Sequence, residues 1–151
     1  MSGFPRMVES FRDLRVYQDA FRAARKIFQC TKSWPKEERY ALTDQIRRSS
    51  RSVFANVAEA WRKQRSPKHF ISKLSDADAE TTETRAWLDA ALDHEYIDQE
   101  SYSDLDTMYD QISASLVTMM TNADDWCGPA GPADQVQEAP SEYKTDPSPI
   151  E

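Results

Sequence analysis

The chain has 151 residues, 39% hydrophobic and 30% charged, a length for one domain with part of the sequence left outside a packed core. Its three glycines are Gly3, Gly128 and Gly131, so nothing between residues 4 and 127 can form the glycine-rich loops that bring backbone against phosphate, which excludes a Rossmann fold, a P-loop and a kinase-type loop. The net charge is −7, yet residues 1–74 hold 17 Lys/Arg against 7 Asp/Glu while residues 75–151 hold 2 against 19, so the acidic average does not exclude a basic surface.

In chain order, residues 1–10 read as an N-terminal extension. A first helix is expected over about 13–31, with Tyr17, Phe21, Ala24, Ile27 and Phe28 at helical spacing. Pro35 and Pro67 are the two prolines between residues 6 and 127, and each falls where a helix should begin, because proline is tolerated in the first turn and breaks the interior. A second helix is therefore expected over 37–65, with Leu42, Ile46, Ser49, Val53, Val57 and Ala60 as its core stripe and Thr43 as a candidate second N-cap. Ser66 caps a third, over 67–94, with Phe70/Ile71, Leu74, Ala77, Thr81, Thr84, Leu88 and Leu92 inward. The pattern lapses at residues 94–98, where Asp98 or Ser101 can cap a fourth helix over 99–126. Its stripe is Tyr102, Leu105, Tyr109, Ile112, Leu116 and Met119/Met120.

No segment alternates with period two for the length of a strand, and three short connections make consecutive helices antiparallel neighbours. The expected fold is all-α, an up-down-up-down antiparallel four-helix bundle over 11–126. Residues 127–151, rich in proline and acidic residues, are expected to be a disordered acidic C-terminal tail.

The second helix carries most of the functional signal. At 100° per residue with Arg47 at zero, its core stripe falls at about 200–280° and Arg47, Arg51, Arg62 and Arg65 at about 0–60°, with Arg48 near 100°. Five arginines thus line the outer side for roughly 27 Å. Phe54 and Trp61 lie near 320–340° on the same wheel, between core and arginines. Three readings of this face stand open: a solvated charged face; an oligomer interface in which Phe54 and Trp61 pack against the acidic half of another copy; or a nucleic-acid surface, where arginines neutralise backbone charge and aromatics stack on bases.

Asn56, Glu59 and Glu83 are expected to be structural polar residues that fix helix register with an arginine partner, not acid–base groups. Bundle metal sites use Glu-x-x-His pairs, and neither His69 nor His94 follows a glutamate by three positions. No nucleophile, histidine and carboxylate set can be assembled. No metal and no cofactor are expected, and the chain reads as a non-enzyme. Cys30 and Cys127 suit a reducing compartment. The longest uncharged run, Gln111 to Ala123, is short and polar, so the expected location is cytoplasmic, with no membrane partner.

Phe11-Arg12-Asp13-Leu14-Arg15-Val16-Tyr17 resembles the F-x-D-L-x-V-W/Y opening of a bacterial family, the four-helix-bundle proteins named for intervening sequences of 23S ribosomal RNA genes. Trp34-Pro35-Lys36-Glu37-Glu38-Arg39-Tyr40, Leu42 to Arg48, Ser52-Val53, Asn56 to Ala60 and Trp61-Arg62 follow its central pattern, and Phe70-Ile71, Leu74, Ala77, Glu83, Leu88 and Tyr96-Ile97 fit as well. The chain departs from the pattern at Phe54, where the family often has proline, at Ala60 (glycine) and at Ala79-Glu80 (Gly-Ser). The resemblance covers about residues 10–126. It implies a homopentameric barrel with no known catalytic activity. The similar accessory variability proteins of diversity-generating retroelements bind nucleic acid and associate with a reverse transcriptase. Two functions are expected from residues and resemblance together. One is RNA or DNA binding through Arg47, Arg48, Arg51, Arg62 and Arg65, as accessory to a nucleic-acid-processing protein partner. The other is an interaction scaffold whose basic face is covered by the acidic faces of neighbouring subunits.

Overall fold

The structure, a computed structural model, describes residues 8–128. Of the expected tail only Cys127 and Gly128 fall within them, as do only residues 8–10 of the expected extension. Ser10 opens the fold as the N-cap of a 3-10 turn, Phe11–Asp13, in a reciprocal capping box with Asp13. Four long helices follow, α1 Arg15–Thr31, α2 Asp44–Trp61, α3 Pro67–Asp93 and α4 Gln99–Thr121, then a short α5, Ala123–Cys127. Each long helix packs on the next and α4 closes on α1, which is the up-down-up-down bundle; no strand occurs among the described residues.

The helix ends follow their local chemistry. Ser66 and Asp98 are the N-caps of α3 and α4, their side chains accepting from the backbone N–H of His69 and Ser101. Thr43 is helical and makes no side-chain cap. Ahead of α2, residues 36–38 form a 3-10 turn and 39–43 a π-helical turn, so the expected second helix is α-helical only from Asp44. It also stops four residues early, at Trp61: Pro67 forces Ser66 into an extended conformation, and residues 62–65 form the turn that leads there. Glu95, at φ 64°, is the one described non-glycine residue with positive φ. It closes α3 with the Tyr96 N–H donating to the Ala91 carbonyl at 2.9 Å.

Leu42, Ile46, Ser49, Val53, Val57 and Ala60 are all buried, as expected, against Phe70, Leu74, Leu88, Tyr109, Ile112 and Leu116. Full burial of each large aliphatic or aromatic side chain contributes about 1.5–3 kcal/mol. Ser49 and Thr84 meet inside this core at 2.7 Å and join α2 to α3. Arg85 clamps α3 to α4, reaching Asp106 at 2.8 Å and Asp110 at 3.1 Å. On α1 the expected stripe is displaced. Its buried face is Val16, Ala20, Ala23, Ala24, Ile27 and Thr31, whereas Phe21 and Phe28 are 40% and 37% exposed. Small alanines let α1 approach its neighbours closely, and the two phenylalanines are left on the outer flank beside α2.

Candidate nucleic-acid interface

The displaced aromatics of α1 meet the first turns of α2. The Arg47 Nε donates to the Thr31 hydroxyl at 2.8 Å, and that hydroxyl donates to the Phe28 carbonyl at 3.0 Å. Arg47 is thereby fixed on the last turn of α1. Its guanidinium carbon lies 4.8 Å from the Phe28 ring centre, with Arg51 at 5.8 Å and the Lys32 ammonium at 4.9 Å. Three cations thus surround one half-exposed ring, each contact worth about 0.5–1 kcal/mol at such a site. Arg48 and Arg51 are exposed. Together with Asp44, Arg47, Ser52 and Ala55 they line an open groove of about 520 Å³. Among the described residues none of Arg47, Arg48 and Arg51 forms an ion pair. The field of Arg48 lowers the carboxyl of Glu80 on α3, which burial and the neighbouring Glu83 nevertheless hold above the usual range.

The seam between α1 and α2 continues the pattern. Phe21 packs on Phe54 at 4.8 Å and both meet Tyr17, at 6.0 and 5.9 Å. Arg25 lies 5.5 Å from the Phe21 ring and Arg12 4.4 Å from that of Phe11. From Tyr17 to Lys32 this alternation of rings and cations runs for about 22 Å at 1.5 Å per residue. A second groove, of about 450 Å³, lies along it between Arg12 and Arg25.

The five arginines of the expected stripe therefore divide. Arg47, Arg48 and Arg51 share the N-terminal turns of α2, while Arg62 and Arg65 sit in the turn at its far end, off the helix. Phe54 is half-buried and taken up within the chain by Tyr17 and Phe21, and Trp61 is half-buried against the core. The polar residues find partners other than arginine: Asn56 donates to the Ser52 carbonyl, Glu59 pairs with Lys73 across α2 and α3 at 2.8 Å, and Glu83 accepts from the Trp87 indole at 3.1 Å. Among the described residues no group of three or more His, Cys, Asp or Glu could hold a metal ion. No described helix is long and apolar enough to cross a membrane. Sequence reasoning placed Phe28 in the core and gave no role to Thr31 or Lys32. The signal that separates them is the alanine set, Ala20, Ala23 and Ala24, which marks the inward face of α1 and turns Phe28 outward.

Fold and surface together define an all-α bundle with an arginine and aromatic seam along one helix pair. The sequence pattern of the 23S rRNA-intervening sequence proteins matches residues 12–118, and the chain belongs to that family. A crystal structure from Bacteroides thetaiotaomicron, described as a protein of unknown function from the S23 ribosomal protein family, is 29% identical. It superposes with a TM-score of 0.63 over 70% of this chain and 97% of its own. No curated protein is detectably similar.

Proposed function

We propose that this protein is a non-catalytic nucleic-acid-binding bundle that holds single-stranded RNA or DNA along the α1–α2 seam, in a self-associated form and as accessory to a nucleic-acid-processing partner. The observation that carries this reading is the group around Phe28: Arg47, Arg51 and Lys32 gathered on one ring, with no described carboxylate paired to either arginine. Arginine forks bind phosphate oxygens bidentately, and guanidinium planes and rings give bases surfaces to stack on. Self-association, as the family resemblance implies, would repeat the seam around a ring and multiply a modest patch.

Titration of labelled single-stranded RNA and DNA by fluorescence anisotropy across salt tests it. Affinity should fall with salt at a log–log slope of about −0.7 per phosphate contacted, and Arg47→Glu with Arg51→Glu should weaken binding at least tenfold. No binding at low salt would overturn it. A second reading has its own support. Excess basic charge lies on α1 and α2 and excess acidic charge on α3 and α4, so the basic face of one copy can be covered by the acidic face of another, leaving a scaffold.

A further inference from the structure

We infer that the corner between α1 and α2 holds the terminal phosphate of a bound strand, an inference that rests on reading the seam as a nucleic-acid surface. At the Arg47 end of the seam the connection from α1 to α2 encloses a cavity of about 210 Å³, walled by Lys32, Trp34, Lys36, Arg39, Asp44 and Arg47 among others. Four of these six are cations and one, Asp44, is an anion. The π-helical turn over residues 39–43, a backbone form frequent at functional sites, carries Arg39 to the wall that Arg47 shares. Arg47 and Asp44 also line the open groove of α2, so cavity and groove adjoin.

Size and charge select the ligand. Sites for whole small molecules occupy roughly 300–1,000 Å³, so this cavity takes a group and not a complete nucleotide. Along the groove each phosphodiester brings one negative charge, whereas a terminal phosphomonoester, with a second pKa near about 6, brings close to two. A net excess of three positive charges in the named wall therefore favours a strand end over a strand interior. Trp34 supplies a buried apolar part of the wall, 6% exposed and with its ring 6.0 Å from that of Tyr96.

The test compares one short single-stranded RNA made with a 5′-phosphate, with a 3′-phosphate or with hydroxyls at both ends. One phosphate-ended form should bind about tenfold tighter than the hydroxyl-ended strand, and which one does so assigns the end held. Lys36→Ala with Arg39→Ala, both at exposed positions, should erase that preference and leave the hydroxyl-ended affinity within about twofold. Arg51→Glu should weaken all three strands alike. Equal binding of all three by the unaltered protein would overturn the inference and leave the seam intact as a binding surface. A phosphate preference that survives the Lys36 and Arg39 changes would overturn the assignment to this cavity. Failure of every strand to bind would overturn the seam reading and the inference with it.

Discussion

At the scale of single residues, the folded chain holds several protons more tightly than an unfolded one, among them those of Cys30, Tyr96 and Tyr102. Burial pushes the Cys30 thiol up to about 11, opposed in part by a hydrogen bond from its own backbone and by the field of Arg47. Tyr96 donates its hydroxyl to Glu38 at 2.6 Å and is pushed up to about 12, and Tyr102 does the same with Asp89 at 2.6 Å, also to about 12. In each case the folded value is raised, so the stabilising contribution is complete below the ordinary value and disappears as pH rises through the folded one. We predict a urea unfolding midpoint that is level from about pH 7 to about pH 8 and that falls steadily from there to pH 12, as first the thiol and then the tyrosine hydroxyls of the unfolded chain titrate. Tyr96→Phe should flatten the upper part of that fall. A midpoint unchanged at pH 11 would show that these hydroxyls and the thiol are not held as the structure has them.

Among the elements, α2 and α3 share the most extensive interface, and it is not wholly apolar. The Ser49 and Thr84 hydroxyls, both fully buried, meet at 2.7 Å. Each hydroxyl can also donate within its own helix, Ser49 to the Ile46 carbonyl at 3.3 Å and Thr84 to the Glu80 carbonyl at 2.9 Å. Removing one thus costs the other only the bond between the helices, a loss that removing both does not incur twice. Thr84→Val alone should therefore cost about 1–2 kcal/mol in urea denaturation, and the double variant Ser49→Ala, Thr84→Val should cost less than the sum of the two single changes. Additive losses would mean that the pair does not couple the helices. The same interface shows what was legible beforehand. The stripe from Leu42 to Ala60 followed from helical spacing alone, since a 3.6-residue period fixes which side chains share a face. Arg47, Arg48 and Arg51 followed from the same wheel. Arg62 and Arg65 did not stay on it, because Pro67 acts back through Ser66 and a wheel carries no account of where a helix stops. Phe21 and Phe28 were misplaced for a different reason: hydrophobicity favours a phenylalanine over an alanine as core, but helix pairs that pack closely select the smaller residue.

For the whole molecule, the dominant fact is the separation of charge between the two helix pairs. Arginines and lysines prevail on α1, on the turns flanking α2 and along the seam, and carboxylates prevail on α3 and α4, where Arg85 is the one arginine or lysine between Lys73 and the end of α4. Opposite faces of two copies should attract most strongly at low ionic strength, where the screening length is about 30 Å at 0.01 M salt against about 8 Å at 0.15 M. Sedimentation should accordingly show self-association weakening about tenfold or more between those conditions. Association indifferent to salt would point instead to apolar contacts as the glue. The same separation has a consequence for anything the seam holds. A strand lined with these bundles would face the solvent through their carboxylate-bearing backs, so its coat would itself be anionic. Such a coat repels its like, keeping covered strands apart from one another and discouraging a second layer from settling on the first.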